Sequence, residues 1–119
     1  MRDLNLKLEE KLILKDDDII WIPRYLVDQK GLKLKELFYL GYLCLVKDKQ
    51  WTDVFYAPQD LCEKQTKTGK KTQQKIMLKL KESWCINYWK EWMPWKNHFT
   101  INKEIWKSYL DYKKQIKWS

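Results

Sequence analysis

The sequence predicts one α+β domain, a helical core carrying a small antiparallel hairpin. Three observations lead there. Apolar residues between Leu34 and Val46 recur at spacings of three and four, as on a largely buried helix. Two β-prone runs, residues 84–89 and 98–101, are separated by a segment containing Pro94 and Asn97, which suits a hairpin. Ahead of the hairpin, residues 64–81 hold seven lysines and no acid. The 119 residues suit a single domain, with no internal repeat and no Gly/Ser linker. Residues 1–18 form an N-terminal extension and 102–119 a C-terminal helix.

In chain order, Leu4, Leu6, Leu8, Leu12 and Leu14 alternate around Glu9, Glu10 and Lys11, a pattern that fits a hairpin or a short helix. Asp16, Asp17 and Asp18 punctuate it. Ile19, Ile20, Trp21 and Ile22, stopped by Pro23, read as a brief strand or a buried entry segment. The stripe of Leu34, Leu37, Phe38, Tyr42 and Leu45 predicts a helix over 33–47. Gly41 inside it costs about 1 kcal/mol relative to Ala, so another element is expected to pack closely there. Residues 54–56 suit a short strand. Pro58 can open a short helix over 59–65, buried through Leu61 and Cys62.

Residues 66–69 predict a turn with a hydroxyl able to cap the next helix. That helix, over 70–83, buries Ile76, Met77 and Leu80, with Trp84 at the end of the same face. It leaves Lys71, Thr72, Gln74, Lys75 and Lys79 outward. Asn102 can cap the final helix, whose stripe is Ile105, Tyr109, Tyr112 and Ile116. That stripe either covers the core or joins two copies as a homodimer.

Composition narrows the function. Eight Trp and 15% aromatic residues argue against disorder. The longest uncharged apolar run, 37–46, has ten residues, whereas a membrane span needs about 20. The N-terminus lacks a signal-type apolar core. Cys44, Cys62 and Cys85 are odd in number and widely spaced, which disfavours a disulfide framework. The expectation is a soluble, reduced, cytoplasmic protein without membrane association.

The net charge of +8 is unevenly spread. Residues 1–63 carry ten basic and twelve acidic side chains, and residues 82–119 seven and four. Lys64, Lys67, Lys70, Lys71, Lys75, Lys79 and Lys81 therefore supply most of the excess within one short stretch. Such a block attracts polyanions, phosphate backbones first among them. A solvated helix face of a Lys-rich chain is the plainer alternative, but such faces usually include acids.

Catalysis has little support, and no cofactor or metal site is expected. His98 is the single histidine, and no CxxC is present. The 68–72 stretch lacks the first glycine of a phosphate loop. Asp16–Asp18 has no second carboxylate cluster nearby in sequence. Trp89, Trp92 and Trp95, interleaved with Lys90 and Lys96, can clamp the hairpin onto the core, stack unpaired bases or bind a protein.

The element order is long helix, short strand, short helix, turn, basic helix, hairpin, which is the order of a winged helix-turn-helix. The basic block falls on the turn and third helix, where such a fold meets the major groove. Thr68, Thr72, Gln73 and Gln74 lie among the lysines, and Gln can pair with adenine while Thr reaches a thymine methyl.

Three stretches carry a resemblance: Trp21-Ile22-Pro23 with residues 31–39, residues 55–63, and residues 70–80. Together they resemble the winged-helix N-terminal domains of plasmid replication initiators and related mobile-element regulators of low-GC Gram-positive bacteria. The likeness covers about residues 19–89. In that pattern Gln65 stands where an apolar residue is usual, and Trp84 where the helix typically ends in Gly. The resemblance implies a stand-alone regulator or accessory factor of a plasmid, conjugative element or phage that binds double-stranded DNA. Lys67, Thr68, Lys70, Lys71, Thr72, Gln74 and Lys75 would face the groove, with Lys79, Lys90 and Lys96 on the backbone. The alternative from another class is a small basic inhibitor or adaptor that docks on an acidic protein or nucleoprotein.

Overall fold

A computed structural model describes residues 13–15, 18–90 and 97–118. The predicted extension at 1–12, Asp16, Asp17 and the hairpin tip at 91–96 lie outside the described residues. Among the described residues the architecture is α+β, with five helices and one three-stranded antiparallel sheet.

The chain enters through residues 19–22 without forming a strand, and the expected burial is met by Trp21 alone: Ile20 is half-buried and Ile19 and Ile22 are exposed. Trp21 is 7% exposed and packs its ring against Tyr109 and Tyr112. A short helix follows Pro23 where the sequence pattern assigns no element: α1, Tyr25–Lys30, buried through Leu26. Gly31, at φ 65°, ends it.

The second helix, α2 (Leu34–Gln50), runs through the middle of the molecule. The Glu36 carboxylate accepts the Lys33 N–H at 2.8 Å and so caps its first turn. Residues Leu37, Leu40, Tyr42, Leu43, Cys44 and Val46 are almost fully buried. Burying each large apolar side chain contributes about 1.5–3 kcal/mol, so this one helix organises the core. The close approach expected at Gly41 is present. A Cβ there would lie 1.8 Å from the Trp21 carbonyl oxygen.

Strand β1, Phe55–Tyr56, sits at one edge of the sheet, in the order β1, β3, β2, where β2 is Ile86–Lys90 and β3 is Asn97–Ile101. The register pairs Tyr56 with His98 and His98 with Trp89, and likewise Phe55 with Phe99 and Phe99 with Tyr88. Alternation sends these two rows to opposite faces. Phe55 and Phe99, each 1% exposed, stack in the core, whereas on the opposite face Trp89 is exposed and Tyr56 and His98 are half-buried. At the free side of β1, the Gln50 side chain accepts the Tyr56 N–H at 3.0 Å and donates to the Tyr56 carbonyl.

Helices α3 (Gln59–Thr66) and α4 (Lys70–Glu82) are joined by three residues. Gln65, expected to be out of place near an apolar position, is held by hydrogen bonds. Its amide donates to the Tyr42 hydroxyl, and its oxygen accepts the Leu14 N–H, both at 2.5 Å. The last helix, α5 (Lys103–Trp118), starts at Asn102, whose side chain accepts the Glu104 N–H at 2.8 Å. Its stripe divides: Ile105 and Tyr109 are core, Tyr112 is half-buried, and Ile116 is exposed. The proposed homodimer seam thus loses its first two residues to the interior, because α5 must cover Trp21. Among the described residues, no helix is long and apolar enough to cross a membrane.

Candidate nucleic-acid interface

Helix α4 is amphipathic by position. Gln73, Ile76, Met77 and Leu80 face inward at helical spacing, which forces the intervening residues outward. Lys71, Gln74, Lys75, Leu78 and Lys79 then share one exposed stripe. At 1.5 Å per residue, Lys71 to Lys79 covers about 12 Å, close to the width of a major groove. Lys67, Lys70 and Thr72 are also exposed, at the turn and the first helical turn.

Lys70 pairs with Asp60 at 2.6 Å, and both side chains are more than half exposed. The pair raises Lys70 above its ordinary pKa and lowers Asp60, through their shared hydrogen bond first and their charges second. Lys70 is therefore fully charged but already engaged. Lys90 ends β2, and its side chain, like all of Lys96, lies outside the described residues.

Two expectations at this surface need correction. Thr68 does not cap α4. The N-cap is Gly69, with no side-chain bond, and the Thr68 hydroxyl donates to the Thr66 carbonyl at 3.2 Å. Gln73, grouped above with possible base-reading residues, has no exposed surface at all. Its Oε1 accepts the Tyr39 hydroxyl proton at 2.9 Å. Its amide nitrogen donates to the carbonyls of Thr68 at 2.9 Å and Gln59 at 3.2 Å. One side chain thereby ties α4 to α2, to the start of α3 and to the turn. Local spacing could have shown this, since position 73 lies on the inner stripe with Ile76, Met77 and Leu80.

The same reasoning finds Leu78, which sequence analysis passed over. It is 50% exposed in the middle of the lysine stripe. An apolar side chain there can meet a thymine methyl.

Trp84, placed at the end of the buried face, is 79% exposed. Helix α4 ends in a Schellman arrangement: Cys85 N–H reaches the Leu80 carbonyl at 2.9 Å and Trp84 N–H reaches Lys81 at 3.1 Å. The residue between, Trp84, must be left-handed and has φ 62°. Cys85 takes the core position instead.

The tryptophan series also separates. Trp89 stacks on His98 with ring centroids 6.0 Å apart and planes at 16°. Trp92 and Trp95 lie outside the described residues.

All three cysteines are buried, and burial pushes each thiol up, Cys62 to about 11. Thiolates are then scarce near neutrality. Among the described residues, no three His, Cys, Asp or Glu side chains gather as a metal site. Compared with protein-family models, curated proteins and solved structures, the chain matches none.

Proposed function

We propose that the chain is a winged helix-turn-helix domain that binds double-stranded DNA through α4, as a regulator or accessory factor of a mobile genetic element. The observation that carries this reading is the exposed stripe of Lys71, Gln74, Lys75, Leu78 and Lys79 on a helix that holds five lysines and one acid. Connectivity supports it: α2, β1, α3, α4, β2 and β3 in order, with the sheet arranged β1, β3, β2. In such a fold α3 supports α4, and α4 enters the groove. Lysines would hold phosphates while Gln74, Thr72 and Leu78 meet base edges.

Fluorescence anisotropy on duplex DNA across a salt series tests this. Each of Lys71→Ala, Lys75→Ala and Lys79→Ala is expected to reduce the log–log salt slope by about one. Gln74→Ala is expected to leave the slope unchanged and weaken only preferred sequences. Absence of duplex binding at low salt would sink the reading.

A further inference from the structure

Trp51 ends α2 in a left-handed backbone, φ 58° and ψ 37°, at the position where helices usually place Gly. Its indole is 89% exposed, so packing within the chain does not account for a bulky residue there. A side chain held against its backbone preference and left in water points to a role at the surface. Beside it, between the end of α2, the entry segment and α5, runs a groove of about 720 Å³. Buried Leu45 and Tyr109 form its floor, and exposed Ile19, Trp51 and Leu110 stand along its sides.

Charge at the groove is divided between engaged and available groups. Asp48 binds Lys113 and accepts the Tyr109 hydroxyl at 3.1 Å, and Asp18 pairs with Lys49 at 2.9 Å. Lys114 also lines the groove, is exposed, and has no ion pair among the described residues. Asp53, two residues beyond Trp51, is fully exposed and held only loosely by Lys47 at 3.8 Å. One chain therefore carries an exposed indole followed by an acid, and an apolar groove edged by a cation.

We propose that the groove takes the Trp51 corner of a second copy of this chain, reciprocally, with Asp53 meeting Lys114 of the partner subunit. Both halves of the contact come from one sequence, which suits a dimer closed by a two-fold axis. A Trp seated in an apolar pocket anchors such an interface, while the charge pair at the rim sets register more than affinity. The surface is not the α5 stripe, whose Ile105 and Tyr109 stay interior. It is independent of the duplex-binding reading, and its test uses no DNA.

Sedimentation equilibrium over a concentration series is expected to show a monomer–dimer equilibrium for the wild type. Trp51→Gly suits the left-handed backbone and should keep the fold, yet raise the dissociation constant about thirtyfold. Trp84→Ala removes another exposed indole near the start of α5, where the Trp84 carbonyl meets the Asn102 side chain, and should change nothing. Asp53→Lys and Lys114→Glu should each weaken association severalfold, and the two together should restore it. Thermal unfolding verifies that each variant folds.

A wild type that stays monomeric up to about 1 mM overturns the inference. So does a dimer indifferent to Trp51→Gly, or one weakened equally by Trp84→Ala. Loss in both single charge variants without recovery in the exchanged pair overturns it as well.

Discussion

The Tyr39 hydroxyl meets the Gln73 side-chain oxygen at 2.9 Å inside a core built mainly of aliphatic and aromatic side chains. The bond spans α2 and α4, so the proposed DNA-facing helix is oriented by a polar contact as well as by packing. Buried polar groups are strongly destabilising once one partner is removed. Gln73→Leu is therefore expected to cost about 2–3 kcal/mol, because the Thr68 and Gln59 carbonyls and the Tyr39 hydroxyl all lose that partner. Urea unfolding of Tyr39→Phe, Gln73→Leu and the double variant should give a coupling of about 1 kcal/mol. Strict additivity would show that the contact does not orient α4.

Gly41 admits the backbone of the entry segment. Gly41→Ala places a methyl against the Trp21 carbonyl, a backbone group that cannot swing aside as a side-chain tip can. The expected cost is about 3 kcal/mol. Hydrogen exchange should localise the loss to residues 18–22 and to their contacts with α5. Unchanged stability would mean that the Trp21 carbonyl does not pack against Gly41.

Trp84 holds a left-handed backbone that Gly adopts freely. Trp84→Gly is expected to stabilise by about 1 kcal/mol, since an exposed indole contributes little packing to offset the relief. Melting should rise by about 4 °C. Trp84→Ala keeps the Cβ and should gain nothing, which separates backbone relief from loss of the ring.

Asp18 accepts the Lys15 N–H at 2.7 Å and pairs with Lys49 at 2.9 Å. Burial alone would raise its pKa, but the Lys15 hydrogen bond and the Lys49 contact outweigh burial and hold it below the ordinary carboxylate range. A depressed folded-state pKa adds stability above the unfolded value and loses it as pH falls through the folded value. Asp18→Asn should therefore cost about 0.5–1 kcal/mol at neutral pH. The difference from wild type should shrink as the pH falls through and below the ordinary carboxylate range. A penalty that persists in acid would assign the effect to geometry instead of charge.

Much of this was legible in the residues themselves. The stripe around Leu37 and Leu45 predicts α2, the Ile76, Met77 and Leu80 stripe predicts α4, and Asn102 marks the start of α5. Gly41 announces a close crossing, although not that Trp21 makes it. What escaped the sequence has both local and distant causes. Gln73 reads as a surface residue by its polarity, although its spacing puts it on the inner stripe; its partners on α2, α3 and the turn are what the sequence does not show. Trp84 reads as core because hydropathy does not register that the Schellman geometry hands the interior to Cys85. The face formed by Tyr56, His98 and Trp89 depends on strand register, which no single stretch encodes. The short α1 has only Leu26 to bury and leaves no periodic signature.

The clasp of Gln50 on Tyr56 has a consequence for self-association. A sheet edge is a template, and a bare strand invites another chain to extend it. Here the side chain of α2 occupies the backbone groups through which β1 would recruit a neighbour. Growth of the sheet on that side would first have to displace a single amide from both backbone groups of Tyr56.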